Sequence, residues 1–495
     1  MVAGKPGVQT IKRYGDEATY PKEPESVACT VFECTKGEPN VPVLVRNNDE
    51  LYAAFGVRLR HFAGCGGKYL WGVRAAAGTP VKAKSHIMDT AETAVNVIDL
   101  TAKQKGTKPI YITVSNTGGA SGINTIIVEE DGFQTEKYTA PATAQGNIDM
   151  VTKINNISQI VDAANVTAGT TFILATVTRG VLGVVGGGSP VAGSDGTIKA
   201  GATDGTLADA DAPVAHRSAL AALETVVDPM PGIVFTQKDL ATVHAEYAAH
   251  STNMNSDLKS KWRVTIIGGV SNATIAERQI AARAFNSEHI WYVGHSLLGK
   301  DDEIYTSAML PAAIAGALAK TPYHESIWGG EGETVLGADD QPFFENIYEA
   351  IGDDDVEALN EAGVITFERD EFGVKVLETV TTATPAKAET DEDEGSVVRI
   401  VQRALRLVYG AGNKMKGKKM TETFNADLKK VCSDALDPMV TDGALIEDSN
   451  AGLKPYDIDA TSIPRAKAKL GRADISIALT VAHAARKIFE KVVIK

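Results

Sequence analysis

Short β-branched runs broken by turn residues dominate the N-terminal part of the chain, and strand and helix patterns alternate after it. VACTVFEC (27–34) and VPVLV (41–45) read as strands split by the turn-rich KGEPN, and Asn48 opens a helix ending near Phe55 and Gly56. Between about Thr90 and Val185, VNVIDLTA, IYITVSN, NTIIVEED and TFILATV predict short strands of an antiparallel β domain. GGGSPVAGSDGTIKAGATDGTLADADAP then carries no apolar period and marks a domain boundary. From Gly232 the strands GIVFTQ, RVTIIGG and HIWYVG alternate with helices near 239–250 and 273–285. That alternation implies right-handed crossovers and a mostly parallel sheet.

SAMLPAAIAGALA predicts a further helix, and GVITFER and GVKVLETVTT flank residues 370–372 as a hairpin. TPAKAETDEDEG reads as a charged surface loop. In SVVRIVQRALRLVYG, Val397, Val401, Leu405 and Val408 recur at helical spacing, with Ser396 to cap the start and Gly410 to end it. A second helix is expected near 423–436, and Ile475, Ile477, Leu479 and Val481 alternate at the β period. The first twenty or so residues hold few apolar positions and read as an arm. RKIFEKVVIK at the other end is a short extended stretch with Ile488, Val492 and Ile494 on one face.

At 495 residues the chain exceeds the size at which one core keeps growing, so about three compact units are expected. Apolar residues at 44% and charged residues at 23% are those of globular proteins. A net charge of -14 argues against a nucleic-acid binder acting through its global field, which needs clustered Lys and Arg. No run approaches the roughly 18 apolar residues that span a bilayer, and the start lacks a signal peptide's apolar centre, so a soluble protein made in the cytosol is expected. Cys29, Cys34, Cys65 and Cys432 are too sparse for a disulfide framework and lack C-x-x-C spacing.

Enzyme-like motifs are weak. WYVGHSLLG resembles the G-x-S-x-G elbow of the α/β hydrolases and makes Ser296 the nucleophile of an alternative, hydrolytic reading. The elbow's second glycine is replaced by Leu298, with Gly299 one residue late. Gly180, Gly183 and Gly186 match neither a Rossmann nor a P-loop pattern. His244 with His250 and His289 with His295 lack the spacing of a zinc-protease helix. Acidic residues at 353–355 and 391–394 lack the spaced ligands of an EF-hand and read as solvated loops. The string around Lys414, Lys416, Lys418 and Lys419 is the strongest basic patch, either an acidic partner's dock or an exposed inter-helix loop. No cofactor or metal is called for.

Taken in order, several segments resemble the tail sheath family of contractile phages, R-type bacteriocins and related injection systems. They are Pro6-Gly7-Val8, residues 37–45, residues 51–56, Gly66-Gly67 with Val73-Arg74, NVIDLTAKQKGTKPIYITVSN and VAGSDGT. After Val8 the chain continues as QTIKRYGDEATY, a departure from the family's aromatic and acidic stretch. The resemblance implies an α/β multidomain fold: a subtilisin-like parallel α/β middle domain, an inserted antiparallel β-sandwich, an α+β C-terminal domain and extended strand-forming terminal arms. Expected boundaries are an arm at 1–20, an N-terminal α/β part at 21–89, the sandwich at 90–190, a linker at 191–212, the middle domain at 213–395, the C-terminal domain at 396–485 and an arm at 486–495. No Gly-Thr-Ser nucleophile motif appears, which fits a scaffold without catalysis.

The implied function is that of a non-enzymatic virion tail subunit, assembled in the host cytoplasm, that polymerises as stacked hexameric rings and contracts. Implied partners are further copies of itself, the tail tube protein, and baseplate and tail terminator proteins, with neither nucleic acid nor membrane. Val8, Ile11, Ile488, Val492 and Ile494 would lie on inter-subunit strand arms. Lys414, Lys416, Lys418 and Lys419 are candidate tube-facing residues, and Cys29, Cys34, Cys65 and Cys432 candidates for inter-subunit disulfides under oxidising conditions.

Overall fold

A computed structural model describes residues 24–34, 36–76, 84–88, 90, 96–103, 110–130, 134–165, 172–181, 208–256, 259–327, 336–338, 341–349, 351–369, 373–383, 393–418, 422–449, 452–463 and 472–482. Outside them fall both terminal arms with Val8, Ile11, Ile488, Val492 and Ile494, most of the expected linker, Gly183 and Gly186, the 370–372 turn, Asp391, Glu392's place in the acidic run being likewise undescribed, and Lys419.

The chain opens with strands β1 (Val27–Glu33) and β2 (Val43–Val45), helices α1 (Asn48–Phe55) and α2 (Arg60–Gly64), and strand β3 (Tyr69–Ala75). Strands β4 (Lys84–Met88), β5 (Asn96–Ala102), β6 (Ile110–Thr117), β7 (Ile123–Glu130) and β8 (Gln134–Pro141) follow, then helix α3 (Ala144–Ile157) and strands β9 (Val161–Asn165) and β10 (Val177–Val181). Helix α4 (Ala212–Leu223) leads into β11 (Ile233–Phe235), α5 (Ala241–Met254), β12 (Val264–Gly268), α6 (Ile275–Phe285) and β13 (Ile290–Val293). After them come β14 (Leu297–Gly299), β15 (Ile304–Tyr305), α7 (Pro311–Lys320), β16 (Gly337–Ala338), β17 (Gln341–Pro342), β18 (Phe344–Ile347), α8 (Asp353–Glu361), β19 (Val364–Ile365), β20 (Phe367–Arg369) and β21 (Val374–Val376). Helices α9 (Gly395–Met415) and α10 (Phe424–Thr441) and strands β22 (Tyr456–Ile463) and β23 (Arg472–Leu479) complete the described chain.

Two compact units result, one built around Val31–Arg58 and Gly72–Ala222 and the other around Leu59–Trp71 and the chain from Leu223 onward. In the first, β4-β5-β9 and β10-β6-β7-β8 are antiparallel sheets. The alternation read in the sequence is the reason: Ile112, Val114, Ile126 and Val128 turn one face inward and pair as Ile112↔Val128 and Val114↔Ile126. Ile98 and Leu100 from the other sheet, and Met150 and Ile154 of α3, share that core. Helix α3 lies where only strands were expected; Thr143 caps it by accepting from Gly146 N. TFILATV is also mostly outside a strand, since β10 begins only at Val177. Lys36 and Glu130 form a buried ion pair at 2.8 Å between the segment after β1 and the end of β7.

The second unit carries the parallel part of the largest sheet, in the order β19-β13-β12-β11-β1, with pairs Tyr292↔Val364, Thr265↔Ile290, Ile233↔Val264 and Ala28↔Ile233. Every residue of β11, β12 and β13 is buried, which is why these strands read as continuous apolar runs. The alternation from Gly232 thus gives the parallel sheet it predicts, and β20 and β21 form the expected antiparallel hairpin. Thr274 and Glu277 close a reciprocal capping box at the start of α6.

Ile400, Ala404 and Val408 of α9 pack with Leu428, Cys432 and Leu436 of α10 and with Ile458 of β22. Contrary to expectation, α9 does not stop at Gly410: the apolar period continues through buried Ala411 and Met415, and Gly410 has open space where a side chain would be. Nor does Ser396 cap it, because its hydroxyl donates to Glu394 instead. The acidic residues 353–355 are also not loop; they form the first turn of α8, where carboxylates complement the helix dipole.

Candidate functional site

Ser296 follows β13 through Gly294 and His295, and the geometry around it departs from a nucleophile elbow. That elbow is a strand-to-helix turn, whereas Ser296 here leads into strand β14. Gly294 serves packing: a Cβ there would meet Val364 Cγ1 at 2.3 Å. The Ser296 hydroxyl donates to Glu349 Oε1 at 2.8 Å, and Arg278 Nη1 donates to Glu349 Oε2 at 2.6 Å. Burial raises the pKa of Glu349, but the bonds from Arg278 and Ser296 outweigh it and hold the carboxyl below its ordinary value. A carboxylate so stabilised is a weak base toward the serine proton. His295 is buried, its Nδ1 accepts from Phe367 N at 3.3 Å, and burial pushes its pKa down to about 4. The four groups pin the end of β13 to neighbouring segments.

The other three histidines singled out in the sequence are likewise held by neighbouring groups. His244 Nε2 meets Lys238 O at 2.7 Å, His250 lies against Glu224 and Arg263, and His289 Nδ1 meets Gln402. Cys29, Cys65 and Cys432 are buried thiols and Cys34 is half-buried, donating to Lys36 O. Burial pushes Cys29 and Cys34 up to about 11, which suppresses the thiolate needed for disulfide exchange.

Lys414 lies in the last turn of α9, where a cation complements the helix dipole, and Lys416 and Lys418 follow it; all three are exposed. Lys416 Nζ stands 5.5 Å from the centroid of the Tyr409 ring. Gly417, at φ +83°, turns the chain away from the helix with open space around it. The structure therefore places these lysines together on one projecting helix end.

A charged cluster that no local motif announces lies just before β1. Glu25 is buried and paired with Arg403 Nη1 at 3.3 Å and with Arg406, whose other nitrogen donates to Trp262 O. Burial would raise Glu25, but Arg406 and then Arg403 outweigh it and keep the carboxyl below its ordinary value. Arg399, one turn earlier on α9, donates to Leu318 O at 3.2 Å and Thr321 O at 2.9 Å. The recurrence of Arg399, Arg403 and Arg406 at helical spacing was the available signal, and its partner 378 residues away was not.

Comparison with known proteins follows the same direction. Residues 206–382 match the model of the phage tail sheath protein central domain. The chain's fold is similar to that of the sheath tail protein of Desulfitobacterium hafniense, with a TM-score of 0.63 and 14% identity over 94% of this chain and 100% of that one. It is also similar to the sheath tail protein of Listeria innocua, with a TM-score of 0.59 and 14% identity over 92% and 95% of the two chains. The contracted helical sheath of the anti-feeding prophage gives a TM-score of 0.53 at 12% identity, over 98% and 99%. No curated protein matches.

Proposed function

Because residues 206–382 match the model of the phage tail sheath protein central domain, we propose that this chain is the structural subunit of a contractile tail sheath, without catalytic activity. That match carries the reading, and the likeness of fold along 94% of the chain supports extending it beyond the central domain. In this proposal subunits polymerise as stacked hexameric rings around a tail tube in an extended state, then repack into a shorter and wider one, driving the tube through an envelope. The subunit moves as a preformed body while strand arms keep neighbours joined, and a kinetic barrier holds the extended state.

The domain plan proposed is the one expected from the sequence: a subtilisin-like middle domain, an inserted sandwich and an α+β C-terminal domain. Its partners are other copies, the tube, and baseplate and terminator proteins, and its place is the virion tail. One feature supports strand exchange between copies: among the described residues β22 and β23 form a two-stranded sheet, paired from Tyr456↔Leu479 to Ile463↔Arg472. Each strand of such a sheet has an outer edge that can accept an added strand.

Negative-stain imaging of the purified protein tests the proposal. Long hollow cylinders are expected, and compact particles at all concentrations and salt conditions would refute it.

A further inference from the structure

Two basic side chains meet inside the second unit. His250, near the end of α5, is 5% exposed, and Arg263, just before β12, is fully buried. Arg263 Nη1 donates to His250 Nε2 at 3.2 Å, and Arg263 Nη2 donates to Leu223 O at 3.2 Å. A guanidinium can only donate, so Nε2 must offer a lone pair. The imidazole is therefore neutral, with its proton on Nδ1, which stands 3.7 Å from Glu224 Oε1. Leu223 and Glu224 are the residues with which the chain enters the second unit.

The charges around the ring oppose a second proton. Glu224 is the carboxylate of the cluster, and it already accepts from Lys259 Nζ at 2.9 Å and from Asn253 Nδ2 at 2.9 Å. Lys261 Nζ donates to the Glu224 carbonyl oxygen. From other elements, Cys29 of β1 and Arg406 of α9 act on Arg263. One carboxylate thus faces Lys259, Lys261 and Arg263, and a charged His250 would add a fourth cation. Burial is the first cause that holds the His250 pKa below its ordinary value; Arg263 and Lys259 add to it against the pull of Glu224. A proton taken from solvent must go to Nε2. That atom then donates instead of accepting and meets Arg263 donor to donor in a buried site. Separation relieves the clash and loosens the grip of Arg263 on Leu223.

We propose that His250 and Arg263 form an acid-released clasp on the segment by which the chain enters its second unit. Above about pH 6.5 the ring is neutral and the clasp is closed; below it, opening takes up a proton and becomes up to about tenfold easier per pH unit. The proposal goes beyond the sheath reading, because it concerns one chain and is tested on that chain whether or not copies polymerise.

Hydrogen exchange of the full chain, corrected for the intrinsic pH dependence of amide exchange, tests it. The amides to follow are those of Val226, Lys261 and Arg263, which donate to Leu223 O, Met254 O and Asn255 Oδ1. Between pH 7 and 5 their protection is expected to fall at least tenfold, while the amides of Cys65 and Gly294, beside buried His61 and His295, keep theirs. His250→Gln, whose side-chain oxygen can accept from Arg263 and cannot titrate, is expected to stay protected at both pH values. Unchanged protection in the wild type, an equal loss in His250→Gln, or an equal loss at Cys65 and Gly294 overturns the proposal. Exchange of the ring C2 hydrogen of wild-type His250, followed by mass spectrometry, gives its protonation midpoint and decides the question if the variant does not fold. A midpoint that coincides with the loss of protection supports the clasp, and protonation with protection intact contradicts it.

Discussion

Ser296 is bound to a carboxylate that already holds an arginine, so its hydroxyl serves to fix a loop. Ser296→Ala is expected to cost about 1.5–3 kcal/mol of stability, the range for a hydrogen bond to a charged group, and to leave polymerisation intact. Denaturant titration and imaging check this, and covalent labelling of Ser296 by a phosphonate would contradict it. Lys36 and Glu130 have the reverse vulnerability because both are buried. Glu130→Gln takes away the carboxylate that stands 2.8 Å from a buried ammonium and should cost about 3–5 kcal/mol, read as a lower unfolding midpoint. Missing signals at this scale were long-range ones: the Ser296 motif could be judged from Leu298, but Glu349, Arg278 and Phe367 reach it only through the fold.

At the scale of elements, buried strands and capped helices were readable where local chemistry and burial agree. Left-handed Gly56 closes α1 as the sequence suggests, while the side chain that caps its start by accepting from Glu50 N is Asn47, one residue before the Asn48 read as the opening. The acidic first turn of α8 misleads because its few apolar residues, Val356 and Leu359, give little periodicity beside three aspartates. Gly410 misleads for a different reason, since packing through Ala411 and Met415 outweighs a glycine's cost in a helix of about 1 kcal/mol. The prediction belonging to this scale concerns residues 486–495, proposed to add a strand to a neighbour's sheet. About five backbone bonds at roughly 0.5–1.5 kcal/mol each would contribute on the order of 2–7 kcal/mol per joint. Their deletion should leave a folded, soluble chain and abolish cylinders; cylinders of normal length and diameter would remove the arm from the mechanism.

For the molecule as a whole, buried histidines set a dependence on pH. His61 and His295 are each pushed down to about 4 by burial, and His250 is lowered by burial as well. In the unfolded chain they protonate near the ordinary value of about 6.5, so below it the unfolded state binds more protons. Stability is therefore full above about pH 6.5 and declines as pH falls toward 4, by on the order of 1–3 kcal/mol each for His61 and His295, with His250 acting in the same direction. Melting between pH 7 and 5, a window above most carboxylate titration, should show the midpoint falling. A flat profile there would mean that these rings protonate inside the fold.

The pairing of Glu25 with Arg403 and Arg406 acquires a mechanical meaning once the preceding chain is considered as a tether. Glu25 stands two residues ahead of β1, whose bonds to β11 would otherwise be the first to feel a pull from upstream. A strand peeled sideways from its end loses its ladder bonds one at a time. With Glu25 clamped, tension passes sideways into α9, where two charged pairs must yield together and Arg399 ties the same helix to the backbone at Leu318 and Thr321. The cluster acts as strain relief does where a cable enters its housing, letting the lead be jerked without the wiring inside coming loose.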